Sequence, residues 1–241
     1  MPDPISLSIA LAAAIVGGVV RGYSGFAGAL IMLPVLTILF GPVTGIVTVL
    51  LVDMAGICLL MPEALRRGSM RISLPLILGS LVAIPFGSYL LLIADPEIMK
   101  KVIIYAVIGA ATAMLFGWRY VRPLGPLALA GVGLISGGFL SAAYVGAIVA
   151  LVLYAGPDNA KASRANAILW SFFSGWVLVA ILIFSGVVTE TELWRVLILS
   201  PFYFGAIYAG SRLVRGIDEI LFRRTVLGIL IIGSVVGVVF F

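Results

Sequence analysis

The sequence predicts an all-α protein that crosses a membrane many times. Three observations carry that prediction. Of 241 residues, 63% are hydrophobic, and the mean hydropathy is +1.26. Only 10% are charged, against about 25% in a soluble domain, so the chain cannot cover a water-facing surface. The apolar residues fall into runs separated by short charged or Gly/Pro-rich breaks, and a span needs roughly 17–25 such residues. Composition also narrows the chemistry. There is no histidine and one cysteine, Cys58, which removes the commonest metal ligand and any intrachain disulfide. No cofactor is expected. The net charge of +5 reads as membrane topology rather than as nucleic-acid binding. The opening "MPDPISLSIA" lacks the basic start of a signal peptide and reads as mature chain.

Ten helical segments are predicted in order. Residues 5–21 and 25–40 form a short pair, glycine-rich where the limbs meet. Residues 44–62 open after Gly41-Pro42 and run to "PEALRR". Residues 72–93 and 102–118 flank "DPEIMKK". A second short pair, 127–140 and 143–155, is again glycine-rich at its junction. Residues 165–186, 194–211 and 222–241 complete the chain.

The loops carry unequal charge. The stretches "PEALRRGSMR", "WRYVRP", "PDNAKASR" and "SRLVRGIDEILFRR" hold eleven basic residues, whereas "DPEIMKK" and "TETELWR" hold three. Placing the first group in the cytoplasm satisfies the positive-inside bias and puts both termini outside. The loops 119–126 and 156–164 then lie on the same side, so the short pair between them returns to the side it left. The first pair does the same from the outside. Each pair is therefore a re-entrant hairpin or two short spans.

The expected architecture is thus two inverted-topology repeats, 1–122 and 123–241, each a short re-entrant or broken helix pair plus three transmembrane helices, all in one membrane domain. The sequence echoes this: Gly18 and Gly22 recur as Gly133 and Gly137, and Gly41-Pro42 recurs as Gly156-Pro157, all at an offset of 115. Inverted repeats with discontinuous helices are a transporter plan.

The motifs "GYSGFAGALIMLPVL", "FGPVTGIVTVLL", "GGFLSAAYVGAIVALVLYAG" and "SPFYFGAIYAGSRL" resemble those of the TauE/SafE sulfite exporter family, also called the toluene sulfonate uptake permeases. The resemblance covers nearly the whole chain. It departs from the family's glycine-rich second motif at Ala142, Val145, Ala147 and Ile148. It implies a bacterial inner-membrane transporter of sulfite, sulfonates or related sulfur anions, with a small anionic substrate and the lipid bilayer as its partners. Direction and oligomeric state stay open.

Two ionisable residues, Arg21 and Asp53, fall inside apolar segments away from their ends, where burial costs at least about 2.5–3.5 kcal/mol. Arg21 sits at the first bend, beside Tyr23, Ser24, Gly25, Phe26 and Gly28. A guanidinium fork, two hydroxyls and the free N–H groups of a helix start, with glycines allowing close approach, would hold a sulfur oxyanion. Arg21 can equally snorkel or pair with Asp53, and Gly18 and Gly22 form a helix-contact GxxxG. Asp53 is a proton carrier or the fixed partner of Arg21. In the second half Ser141, Tyr144, Asn166, Trp170 and Ser171 are the candidate substrate residues. Arg164 reads first as a cytoplasmic topology charge. Trp118, Tyr120, Trp194 and Tyr203 read as interface aromatics. An alternating-access carrier for a sulfur-containing anion fits best, and export of another organic anion such as a carboxylate is the alternative. An enzyme is disfavoured by the missing histidine, by a lone cysteine taken as buried, and by the lack of a carboxylate pair. A channel is disfavoured because no rings of pore charge appear.

Overall fold

The computed structural model describes residues 4–95, 98, 105 and 120–213. The expected helices 102–118 and 222–241, with Trp118, lie outside the described residues. Nine α-helices and no strand occur among the described residues. They are α1 (Pro4–Ser24), α2 (Gly28–Phe40), α3 (Pro42–Ile57), α4 (Met61–Arg67), α5 (Met70–Ile93), α6 (Pro126–Ala143), α7 (Ala147–Ala155), α8 (Ala160–Phe184) and α9 (Glu190–Leu213). Five of them, α1, α5, α6, α8 and α9, are long and apolar enough to cross a membrane; α3 and α4 reach that length and apolarity only together, as a pair bent into a broken span or a re-entrant loop.

Local chemistry sets the ends. Proline occupies the first turn of α3, α4 and α6, where a missing N–H costs nothing. Asn159 caps α8 by accepting from the Ala162 amide at 2.9 Å. Glu192 accepts from both the Thr189 amide, at 2.9 Å, and the Thr189 hydroxyl, which ties down the start of α9. Gly41 ends α2 with φ +87°, and its amide returns to the Thr37 carbonyl.

Three sequence expectations change. The segment 44–62 is two helices, bent by 64° at a break that carries Cys58, and that cysteine is exposed rather than buried. Residues 25–27 and 144–146 are turns rather than the starts of helices. The limbs of each pair are also unequal: α1 has 21 residues and α6 has 18, but α2 has 13 and α7 only 9. Nine residues rise about 14 Å, half of a hydrocarbon core of about 30 Å, so α7 cannot span. Both bends are buried: Ser24, Ala27, Ala143 and Val145 are each wholly inaccessible. A backbone turn at such depth is tolerated only where protein surrounds it.

Packing between the halves is reciprocal. The long limb α1 lies against α9, and the long limb α6 lies against α5. Likewise α3 meets α9 while α8 meets α5. The approach is close enough to demand glycine. A Cβ on Gly22 would come within 2.1 Å of the Ile207 carbonyl oxygen, and one on Gly133 within 2.1 Å of the Leu76 carbonyl oxygen. The GxxxG of α1 is thus a helix-contact surface, as is its counterpart in α6.

Candidate functional site

The two buried bends converge with α3 and α9 on one cluster. Arg21 stands in the last turn of α1, one turn before the bend, and Asp53 stands within α3. Both are 2% exposed. Their Nε and Oδ1 atoms are 3.0 Å apart. The Nε hydrogen does not point along that line, so the contact is one of charge rather than a hydrogen bond; Nη2 is also buried without an acceptor. Asp53 is better satisfied. Tyr144, at the second bend, donates to Oδ2 at 3.0 Å, and Tyr203 of α9 donates to Oδ1 at 2.5 Å. The carboxylate therefore holds hydroxyls from the second half, while the guanidinium keeps unused donors. A buried donor without a partner costs roughly 1–3 kcal/mol, more when charged, so something must recover that cost.

A cavity of about 20 Å³ adjoins those donors. Arg21, Asp53, Tyr144 and Ser171 give it a polar side, and Phe26, Met54, Leu140 and Trp170 give it an apolar side. It has room for about one water. Trp170 is fixed by its indole N–H, which donates to the Ser80 hydroxyl at 2.7 Å, and its ring lies against Gly146.

The bends are built differently. Gly25 breaks the first with φ +85°, and its amide returns to the Arg21 carbonyl at 2.8 Å. In the second, Tyr144 itself takes the left-handed conformation at φ 52°. That conformation is unfavourable for a residue with a Cβ and is held only where the surroundings fix it. Here the Tyr144 and Val145 amides close back on the carbonyls of Leu140 and Phe139, and the phenol is tied to Asp53.

Of the residues expected at the site, Arg21, Asp53, Tyr144, Phe26, Trp170 and Ser171 meet around the cavity. Gly28 does not line it; it packs α2 on α1, where a Cβ would lie 2.6 Å from Arg21 Cβ and 2.5 Å from the Gly17 carbonyl oxygen. The others are used elsewhere. The Ser24 hydroxyl donates to the Val20 carbonyl and accepts from the Phe26 and Ala27 amides. The amides of Gly25, Phe26 and Ala27 are therefore spent inside the bend, and the expected bare N–H donors there are not free. Tyr23 offers its carbonyl to Arg164. Ser141 donates back to Gly137 and Gly138 and faces Gly87 of α5, away from the cavity. Asn166 accepts from the Ser69 amide at 2.7 Å and the Ser73 hydroxyl at 3.3 Å, so it secures the start of α5 instead of facing a cavity.

Two residues were misread. Tyr203 is wholly buried and bonded to Asp53, not an interface aromatic, whereas Trp194 is 65% exposed. A signal existed: Tyr203, Ile207 and Gly210 repeat at helical spacing among small residues. Arg164 is 1% exposed, not a loop charge. Asn159 as a cap already implied a helix from 160, which puts Arg164 inside its second turn.

Five membrane-length helices with a guanidinium buried among them define a multi-pass membrane protein with a charged centre. The chain matches the family model described as Sulfite exporter TauE/SafE over residues 9–237, and it belongs to that family. It is accordingly a multi-pass membrane transporter of the class that moves sulfite-related anions. No curated protein and no solved structure matches it.

Proposed function

We propose that this protein is an alternating-access carrier for a sulfur-containing anion, sulfite or an organosulfonate, in the inner membrane of a bacterium, with both termini outside the cytoplasm. The observation that carries the reading is Arg21: a buried guanidinium whose Nε and Nη2 hydrogens lack acceptors beside a cavity between two buried bends. A sulfonate or sulfite offers three oxygens to such a fork. Asp53 serves as the internal counter-ion whose hold on Arg21 the substrate replaces. Two anions on one guanidinium repel, so proton uptake by Asp53 would accompany binding in a coupled cycle. The division into repeats at 1–122 and 123–241 is supported by the reciprocal packing of α1 on α9 and α6 on α5. Rocking of one half against the other would then expose the cavity to each side in turn.

Substrate binding to the purified protein tests this. Thermal shift with sulfite, thiosulfate, sulfoacetate, taurine and simple carboxylates should single out a sulfur anion; a ligand at a hundredfold excess over its Kd stabilises by about 2.7 kcal/mol. Arg21→Lys keeps the charge and loses the fork, so affinity should fall about tenfold, the worth of one hydrogen bond to a charged group. Unchanged affinity in both Arg21→Lys and Arg21→Ala would sink the assignment. Selective stabilisation by a carboxylate would move the substrate class.

A further inference from the structure

A second arginine–carboxylate pair lies outside the cluster just described. Arg164 of α8 is 1% exposed and spends its donors unequally. Nη2 donates to the Gly22 carbonyl at 2.7 Å and Nε to the Tyr23 carbonyl at 3.1 Å. Those two residues directly follow Arg21 at the end of α1. Nη1 donates to Glu63 of α4 at 2.9 Å. The backbone bonds are buried, but the Glu63 side chain is 40% exposed. Glu63 also has another cation in reach: Arg67, one turn on, at 3.7 Å and itself 48% exposed.

The construction is that of an exchangeable contact. Two bonds to backbone carbonyls pin the guanidinium and leave its charge uncancelled, so a buried Arg164 needs an anion at Nη1. Glu63 supplies it from a half-solvated position. Moving to Arg67 gains Glu63 only about 0–1 kcal/mol, the worth of an exposed ion pair, so it leaves Arg164 only as an incoming anion replaces it on Nη1. The bent pair α3–α4 provides both carboxylates, Asp53 for Arg21 and Glu63 for Arg164, ten residues apart. A shift of that one element would loosen both pairs together.

We propose that Arg164 and Glu63 form a gate and waiting site for the anion on the face carrying Arg66, Arg67 and Arg71, where the incoming small oxyanion takes the place of Glu63 on Nη1 and Glu63 swings to Arg67. This rests on the anion-carrier reading above and on the orientation that the loop charges imply. The captured anion then lies against the end of α1 that bears Arg21, which is its next station.

Sided transport kinetics test the gate. Initial rates of sulfite transport are measured in right-side-out and inside-out membrane vesicles carrying the full chain. Glu63→Gln keeps an acceptor for Nη1 but removes the competing charge. KM for sulfite offered at the cytoplasmic face should fall at least about fivefold, since the half-buried Arg164–Glu63 pair is worth more than the roughly 1 kcal/mol of an exposed one, with KM at the other face unchanged. Arg67→Gln removes the alternative partner of Glu63 and should raise the cytoplasmic KM, again on one face only. Both side chains are about half-exposed, and thermal unfolding of each variant without sulfite checks that the fold holds. Shifts in the same direction, equal shifts at both faces, or no shift in either variant would overturn the proposal. Failure of the carrier reading looks different: Arg21→Lys and Arg21→Ala would transport sulfite with wild-type KM, or the wild-type chain would transport no sulfur anion, and in that last case the gate falls too.

Discussion

Arg21 and Asp53 share a contact but not a fate. Asp53 has three partners, Arg21, Tyr144 and Tyr203, whereas Arg21 has a charge contact and two idle donors. The carboxylate is therefore anchored and the guanidinium is the group able to change partners. Tyr203→Phe should reveal the anchoring. It removes one hydrogen bond to a charged acceptor in a wholly buried place, a loss of about 1.5–3 kcal/mol. The melting temperature in detergent should drop, and sulfite affinity should fall, because an Asp53 that has lost one hydroxyl donor holds Arg21 more tightly. Preserved stability would mean that the Tyr203 bond contributes nothing. Arg21→Ala should destabilise more, by about 3–5 kcal/mol, since it strands a buried charge. The same loss measured for Arg21→Met would confirm that charge, not packing volume, is responsible. At this scale the sequence was informative about the cation and anion, because an ionised group in an apolar run is conspicuous. It was weaker for Tyr203, whose helical spacing with Ile207 and Gly210 marks a packed face, because a tyrosine in a membrane helix also fits an interface belt.

The hairpin bends are the elements that matter. Gly25 combines φ +85° with a close approach: a Cβ there would lie 2.8 Å from Arg164 Cγ and 3.3 Å from Ile168 Cγ1. Gly25→Ala should thus be both strained and overpacked, losing about 2–4 kcal/mol. Thermal unfolding checks the loss; a shift under 2 °C would show that the bend relaxes freely. The second bend reaches a similar turn through Tyr144, at a conformational cost that its hydrogen bond to Asp53 helps to offset. That is why a glycine-poor second motif can still form a hairpin. Helix existence was legible in the described residues except for α4, most of which lies in the charged stretch read as a loop; elsewhere long apolar runs admit few alternatives. The ends were less so. The sequence placed helix starts at 25 and 143, where the chain turns, because small apolar residues in a buried bend look the same as those in a helix.

Across the whole molecule, the unequal limbs and the reciprocal packing favour two halves that interlock around the cluster. Arg164 binds the first half from the second, through Gly22, Tyr23 and Glu63. Tyr154 does so as well, donating to the Ser24 carbonyl at 2.7 Å. The orientation is testable directly. In a Cys58→Ser background, a cysteine at Gly125 should react with an impermeant maleimide only from the cytoplasmic face, and one at Ser185 only from the outside; both positions are exposed. The reverse labelling would invert the topology and move the Arg164 gate to the outer face.

Composition and loop charge by themselves determined that this chain is a multi-pass helical membrane protein, where its apolar segments lie, and that Arg21 and Asp53 need an explanation. Those conclusions follow from transfer costs, which depend on residue type and run length. Only the tertiary structure decided which polar groups meet. Asp53 joins Tyr144 and Tyr203, which are 91 and 150 residues away, and Arg164 joins the end of α1 across more than 140. It also decided that the amides of Gly25, Phe26 and Ala27 are already spent, while Arg21 keeps donors without acceptors. Hydrogen-bond geometry between distant helices is set by their packing, and no local pattern in the chain encodes it.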